Sequence, residues 1–190
     1  MALLQDAAVE LLLNNQPETL TVRDIASRAR VAYRYIPDYF GGKAELFASI
    51  YPRVAQEAAS VLGIPFAAAE ANFLSPQMIR HARLAIWLSS NHPKGVPLTE
   101  RPIQRQLEQS LRQHFEIDDA TAHLVSERLI ALVLVLAAFP DAITAEPIDL
   151  RAHVALELNM LVAYAQRQVA RFPDFTEPTW LGRSTEQAGR

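Results

Sequence analysis

Between Thr21 and Lys43 five cationic side chains, Arg23, Arg28, Arg30, Arg34 and Lys43, face only two acidic ones, Asp24 and Asp38, so the window carries +5 − 2 = +3 within a chain of net charge −3. An acidic whole argues against a protein that coats nucleic acid by bulk electrostatics. A local basic excess is suited instead to contact with phosphates at one place, the alternative being charges that merely solvate helix faces. The residues around these charges, TLTVRDIASRARVAYRYIPDYFGGKAELF from Thr19 to Phe47, have the apolar spacing of two short helices meeting across a tight turn. Ile25 and Ala26 share one face of the first helix, and Ala29 and Val31 bracket the turn. Ile36, Tyr39 and Phe40 form an inward stripe on the second, and small Ala26 lets the two cross closely. That pattern predicts a helix-turn-helix, which lays one helix in the DNA major groove.

The chain has 190 residues, half of them apolar, which is enough for a packed core of ordinary size. It contains no cysteine, so disulfides and thiolate metal sites are excluded and a reducing, cytoplasmic setting is expected. No export signal is read at the N-terminus. The longest apolar run, Leu129 to Phe139, spans 11 residues, short of the roughly 20 needed to cross a membrane. Catalytic motifs are missing too: the six glycines are scattered, so no P-loop or dinucleotide fingerprint assembles, and no G-x-S-x-G elbow exists. The five histidines, at 81, 92, 114, 123 and 153, show no H-x-x-x-H pair for zinc. We expect no enzyme, no cofactor and no metal.

Helical periodicity dominates and no stretch alternates as a strand would, so the fold class is all-α. The opening helix is predicted from Ala2 to Asn14, with Leu4, Ala7, Ala8, Leu11 and Leu12 as its stripe. Thr21 reads as an N-cap with Asp24 three residues on. A third helix is expected from Tyr33 to the Gly41-Gly42 stop, and a fourth from Lys43 to Leu62 with a break or kink at Pro52. Ser75-Pro76 starts a helix bearing Met78, Ile79, Ala82, Ala85, Ile86 and Trp87. Thr99 starts another, with Ile103, Leu107, Leu111 and Phe115 as its buried edge. Asp118 caps a nearly all-apolar helix from Ala120 to Phe139, and the last runs from Ile148 to Phe172 with a seam of Leu150, Val154, Leu158, Leu161, Ala165 and Val169. The expected domains are 1–47, 48–172, and a C-terminal tail at 173–190.

On LLQDAAVELLLNN, TVRDIASRARV, the Tyr39-Phe40 pair ahead of Gly42-Lys43, and the following Glu45-Leu46-Phe47, the chain resembles the TetR family of bacterial transcriptional repressors over residues 2–51. The resemblance implies a three-helix DNA-binding domain followed by a helical ligand-binding and dimerisation domain. It implies that Thr21 and Lys43 hold phosphates at helix N-termini, and that Arg23 reaches a phosphate or a base edge. Tyr33, Arg34, Tyr35 and Tyr39 would lie on the outer face of the recognition helix. Arg34 is the first choice for reading sequence, since arginine pairs bidentately with guanine. The chain departs from the family at Arg30, where a glycine usually turns, at Ala32, where a serine usually caps, and at Pro37, where a tyrosine usually touches phosphate. Asp38 adds repulsion, no basic arm precedes the first helix, and residues 1–52 sum to −1.

The same resemblance implies a small-molecule site within the later helices, whose Leu-, Ala- and Phe-rich core suits an apolar ligand. Tyr51, Met78, Trp87 and Phe115 are its candidate residues, with Arg83 one turn before Trp87 as a cation–π partner; the alternative for each is core packing. The last two helices, paired about a twofold axis, would form a homodimer that spaces two recognition helices about 34–36 Å apart, or a multiple of that. The expected function is a repressor released from a palindromic operator in double-stranded DNA by a small ligand. The alternative is a TetR-shaped ligand- or protein-binding module whose recognition helix has degenerated.

Overall fold

The structure is a computed structural model that describes residues 1–62, 73, 75–94, 101–115, 117–138, 152, 153, 156, 157, 159 and 160. Among these, seven helices and no strand are found: α1 (Ala2–Leu11), α2 (Val22–Arg28), α3 (Tyr35–Phe40), α4 (Lys43–Leu62), α5 (Pro76–Asn91), α6 (Pro102–Phe115) and α7 (Asp119–Ala138). The all-α class holds. α6 begins at Pro102 after a non-helical Arg101, later than the expected start at Thr99, since proline fits the first turn of a helix; the seam of the last helix and the tail lie outside the described residues.

α1 stops three residues earlier than its pattern predicts, because Asn15 Nδ2 turns back to donate to the Leu11 carbonyl at 2.8 Å. α2 begins with a complete capping box: Asp24 N donates to Thr21 Oγ1 at 3.2 Å and Thr21 N donates to Asp24 Oδ2 at 2.8 Å. Both orphan donors are satisfied locally. The turn after α2 is a Schellman closure, with Val31 N donating to Ala26 O at 3.0 Å and Arg30 N to Ser27 O at 3.1 Å. That closure puts its central residue in the left-handed region, and Arg30 takes it at φ 55°. The glycine customary there is absent, and the backbone conformation is kept regardless.

Pro37 sets the start of α3. A helix begun at Tyr33 would need an N–H from residue 37 to the Tyr33 carbonyl, and proline has none. The start therefore slips to Tyr35, and Pro37 becomes the third helical residue, where no intrahelical donor is required. Asp38 N makes the first α-type bond, to Arg34 O at 3.2 Å. The recognition helix is thus six residues long, with no side-chain cap, ending at Gly41 with φ 88°. Only Ile36 of its expected inward stripe is fully buried; Phe40 is half-buried and Tyr39 faces out.

α4 runs its predicted 20 residues through Pro52 and lies in two cores. Its first half, with Leu46, Phe47, Ile50 and Val54, packs with Leu4 and Ala8 of α1, Ile25 of α2, Ile36 of α3, and Leu84, Trp87 and Leu88 of α5. Its second half, with Ala58 and Leu62, packs with Met78, Ile103, Leu107, Leu111, Leu129 and Val133. α5 starts at the expected Ser75 cap, with Met78 N donating to Ser75 Oγ at 3.3 Å. Its inward face differs from expectation: Arg80, His81, Leu84 and Leu88 are buried, while Ile79, Ala85 and Ile86 are half-exposed.

The strain at Arg30 gives a direct test. Arg30→Gly should raise unfolding free energy by about 0.5–1 kcal/mol, because glycine adopts this backbone without the Cβ clash but gives back part of the gain as chain entropy. Urea titration followed by circular dichroism reads the change.

Candidate functional site

Five of the seven residues assigned to DNA contact come together on one outer surface. The Arg23 guanidinium lies 5.5 Å from the Tyr33 ring centre, and Arg34 lies 5.5 Å from that of Tyr35. Tyr35 stacks on Tyr39 with ring centres 5.6 Å apart. Tyr33 and Tyr39 are more than half exposed, so the outer face of α3 and the loop before it form a cation–aromatic strip. Arg23, Arg30 and Arg34 enter no ion pair among the described residues, whereas Arg28 is paired with Glu10 of α1.

The other two are engaged elsewhere. Thr21 spends its hydroxyl and its amide on Asp24, with Oγ1 donating to Oδ2 at 2.6 Å; these bonds hold the Asp24 carboxyl below the usual carboxylate range. Lys43 turns inward. Its Nζ lies 5.0 Å from the ring centre of Trp87 and 5.5 Å from that of Phe47, and reaches the Glu18 carbonyl at 3.5 Å. Burial pulls its pKa down, as desolvation does for an ammonium. The first residue of α4 thus joins the reading module to the body.

Trp87, expected beside Arg83, has Lys43 as its cation and Phe47 as an edge-on neighbour at 5.2 Å. It closes the first core, and Met78 and Phe115 pack in the second. None of these lines the cavity that the body does contain, a space of about 300 Å³ between α4, α5, α6 and α7. The reason is steric: the large apolar side chains fill the cores, and the space opens where α4 and α7 carry Ala55 and Ala131. Ile103, Ile130 and Leu134 supply apolar wall, and Arg101, Gln104, Glu127 and His81 the polar groups.

Tyr51, the fourth candidate, reaches the cavity through His81. Its Oη lies 2.7 Å from His81 Nε2, and both residues are buried. Burial pushes the Tyr51 phenol well up, and burial together with the Arg80 charge pulls His81 from 6.5 to about 4. The imidazole is neutral at pH 7.

Arg80, one residue earlier, was not singled out by sequence, although it stands four residues before Leu84 and seven before Trp87, which is core spacing. It is 3 % exposed, donates to the Val9 carbonyl of α1 at 3.2 Å, and is paired with Glu57 of α4. Burial pushes the Glu57 carboxyl up, but hydrogen bonds from Arg53 and Arg80 outweigh it and leave it lowered. Arg53 in turn holds Asp6 of α1. Three helices are therefore tied by one polar chain: Asp6, Arg53, Glu57, Arg80 and Val9.

Fold and surface together define a helix-turn-helix protein with a helical body. Residues 4–50 match the family described as bacterial regulatory proteins, tetR family, and the N-terminal module is of TetR type. Solved structures similar to the chain are regulators of the same fold. The TetR family repressor AlkX from Dietzia sp. strain DQ12-45-1b, implicated in biodegradation of n-alkanes, is 17% identical with a TM-score of 0.53 over 86% of this chain and 94% of its own. A transcriptional regulator from Streptomyces coelicolor A3(2) is 19% identical, TM-score 0.56, over 87% and 97%. One from Aquifex aeolicus VF5 is 17% identical, TM-score 0.54, over 84% and 98%. No curated protein matches the sequence. No described helix is long and apolar enough to cross a membrane.

His81 makes stability depend on pH. Its folded pKa is depressed from 6.5 to about 4, so the unfolded chain takes up a proton that the folded one rejects. The contribution is full above about 6.5, declines as pH falls, and is gone below about 4, a total on the order of 3 kcal/mol. Urea midpoints at about pH 7.5 and about pH 4.5 should therefore converge more closely in His81→Gln than in the wild type.

Proposed function

We propose that the protein is a cytoplasmic, homodimeric transcriptional repressor of TetR type, which binds a palindromic operator and leaves it when a small molecule fills the cavity. It acts by binding and not by catalysis. The observation that carries this reading is that α5 both walls the cavity with His81 and closes the core of the module that bears the Arg23–Tyr33 and Arg34–Tyr35–Tyr39 strip. A ligand against His81 displaces α5, strains the bond from Arg80 to Val9 and the Lys43–Trp87 contact, and swings α4 as a lever. Two reading modules in a dimer then lose the spacing of successive grooves.

Exposed Leu124 and Val135 of α7, with exposed Leu156 and Met160 beyond it, support the helical dimer face expected from sequence. Leu124→Glu combined with Val135→Glu should shift the solution mass from twice 21.2 kDa to 21.2 kDa in sedimentation equilibrium.

Fluorescence anisotropy on palindromes from the upstream intergenic DNA tests the operator claim. Three unpaired arginines per module, six per dimer, predict a log K against log salt slope of about −5, shallow for a dimeric reader. Arg34→Ala should weaken the preferred site about tenfold or more and flatten discrimination at one base pair. The second reading, a module with a degenerate reader, is favoured by the six-residue α3 and inward Lys43. If the wild type binds no palindrome and Pro37→Tyr with Asp38→Arg binds, that second reading holds.

A further inference from the structure

The polar end of the cavity is chemically specific. His81 is 8 % exposed and lines the space, and its Nε2 is taken by Tyr51. Tyr51 Oη is buried and has no other acceptor among the described residues, so the phenol donates to Nε2. A neutral imidazole that accepts at Nε2 carries its proton on Nδ1. Nδ1 has no partner among the described residues, and it is not one of the fully enclosed polar atoms, of which Arg80 Nε alone is unpaired. The wall at His81 therefore offers an N–H donor beside the apolar Ile103, Ile130 and Leu134, while the remaining polar lining groups, Arg101, Gln104 and Glu127, bond to one another or to His123.

Charge at both ends disfavours an ionic guest. At the rim Arg101 is shared by Gln104 Oε1 at 3.2 Å and Glu127 at 4.0 Å. His123 bridges Glu108 at 2.9 Å and Glu127 at 3.5 Å, so one arginine stands against two carboxylates around a histidine and no excess positive charge awaits an anion. Next to His81 the buried Arg80, outside the lining itself, disfavours a cation, while its own charge is met by Glu57. An ion taken to His81 would lose its hydration for one neutral donor, a loss of several kcal/mol.

We propose that this cavity takes an uncharged, largely apolar molecule bearing one hydrogen-bond acceptor, which His81 Nδ1 meets as donor. The proposal deepens the ligand-release reading and rests on it for biological meaning, but binding is measured without DNA. Calorimetric titration of the full chain uses four probes of equal length: methyl hexyl ketone, octane, octanoate and octylamine. The ketone should bind about tenfold or more tighter than each of the others. His81→Phe should keep octane binding and erase the preference for the ketone. Should that variant not fold, nitrogen-15 NMR of the wild-type imidazole gives the same answer, with the Nδ1–H resonance moving on addition of ketone and not of octane. Equal binding of ketone and octane, tighter binding of octanoate or octylamine, or binding of none of the four overturns the proposal. Operator anisotropy without any probe is read separately, so loss of DNA binding counts against the regulator and not against the ligand class.

Discussion

The apolar core of the reading module does not close on its own. Leu84, Trp87 and Leu88 come from α5, outside the helix-turn-helix, yet they are buried among Ile25, Ile36, Phe47 and Leu4. Burial of three such side chains contributes on the order of 5–8 kcal/mol, comparable with the whole stability of a small domain. A module of this size is marginal without that contribution. Its orientation is consequently set by α5 and α4.

Polar contacts fix the same joint more narrowly. Arg80 is buried, keeps one nitrogen without a partner among the described residues, and is held by Glu57 and by the last turn of α1. Ion pairs in such places add little net stability, because desolvation offsets attraction, but removing one partner is costly and misalignment is penalised. Here the penalty links α1, α4 and α5 to one geometry. The neighbouring residue on α5, His81, belongs to the cavity wall and grips α4 through Tyr51. Two adjacent residues thus face two ways, Arg80 toward α1 of the N-terminal module and His81 toward the cavity.

Local signals in the chain carried much of this. The Thr21–Asp24 box, the Gly41 stop, the Ser75-Pro76 start and the whole span of α4 follow from capping chemistry and apolar period, which act over a few residues. The shortening of α3 was legible at Pro37, although the two-residue slip that accommodates it depends on where the next free carbonyls fall. What escaped depends on contacts distant in sequence. Lys43 stands at a helix start, where the family resemblance implies a phosphate contact, and only the packing of α5 shows that Trp87 lies beside it. The cavity is hidden for a similar reason: large apolar side chains stand out in the sequence but pack in the cores, whereas the lining includes Ala55 of α4 and Ala131 of α7, small residues that carry no local signal.

The most direct measurement is native-state hydrogen exchange of the full chain, with denaturant varied below the unfolding transition. If the module and body share one core, the slowest amides of Ala8 in α1 and Ile25 in α2 should open with the same free energy as those of Leu84 and Leu88 in α5. Amides of α1 and α2 that exchange by a separate, cheaper opening, with α4 and α5 still protected, would contradict the shared core and remove the proposed path from cavity to DNA.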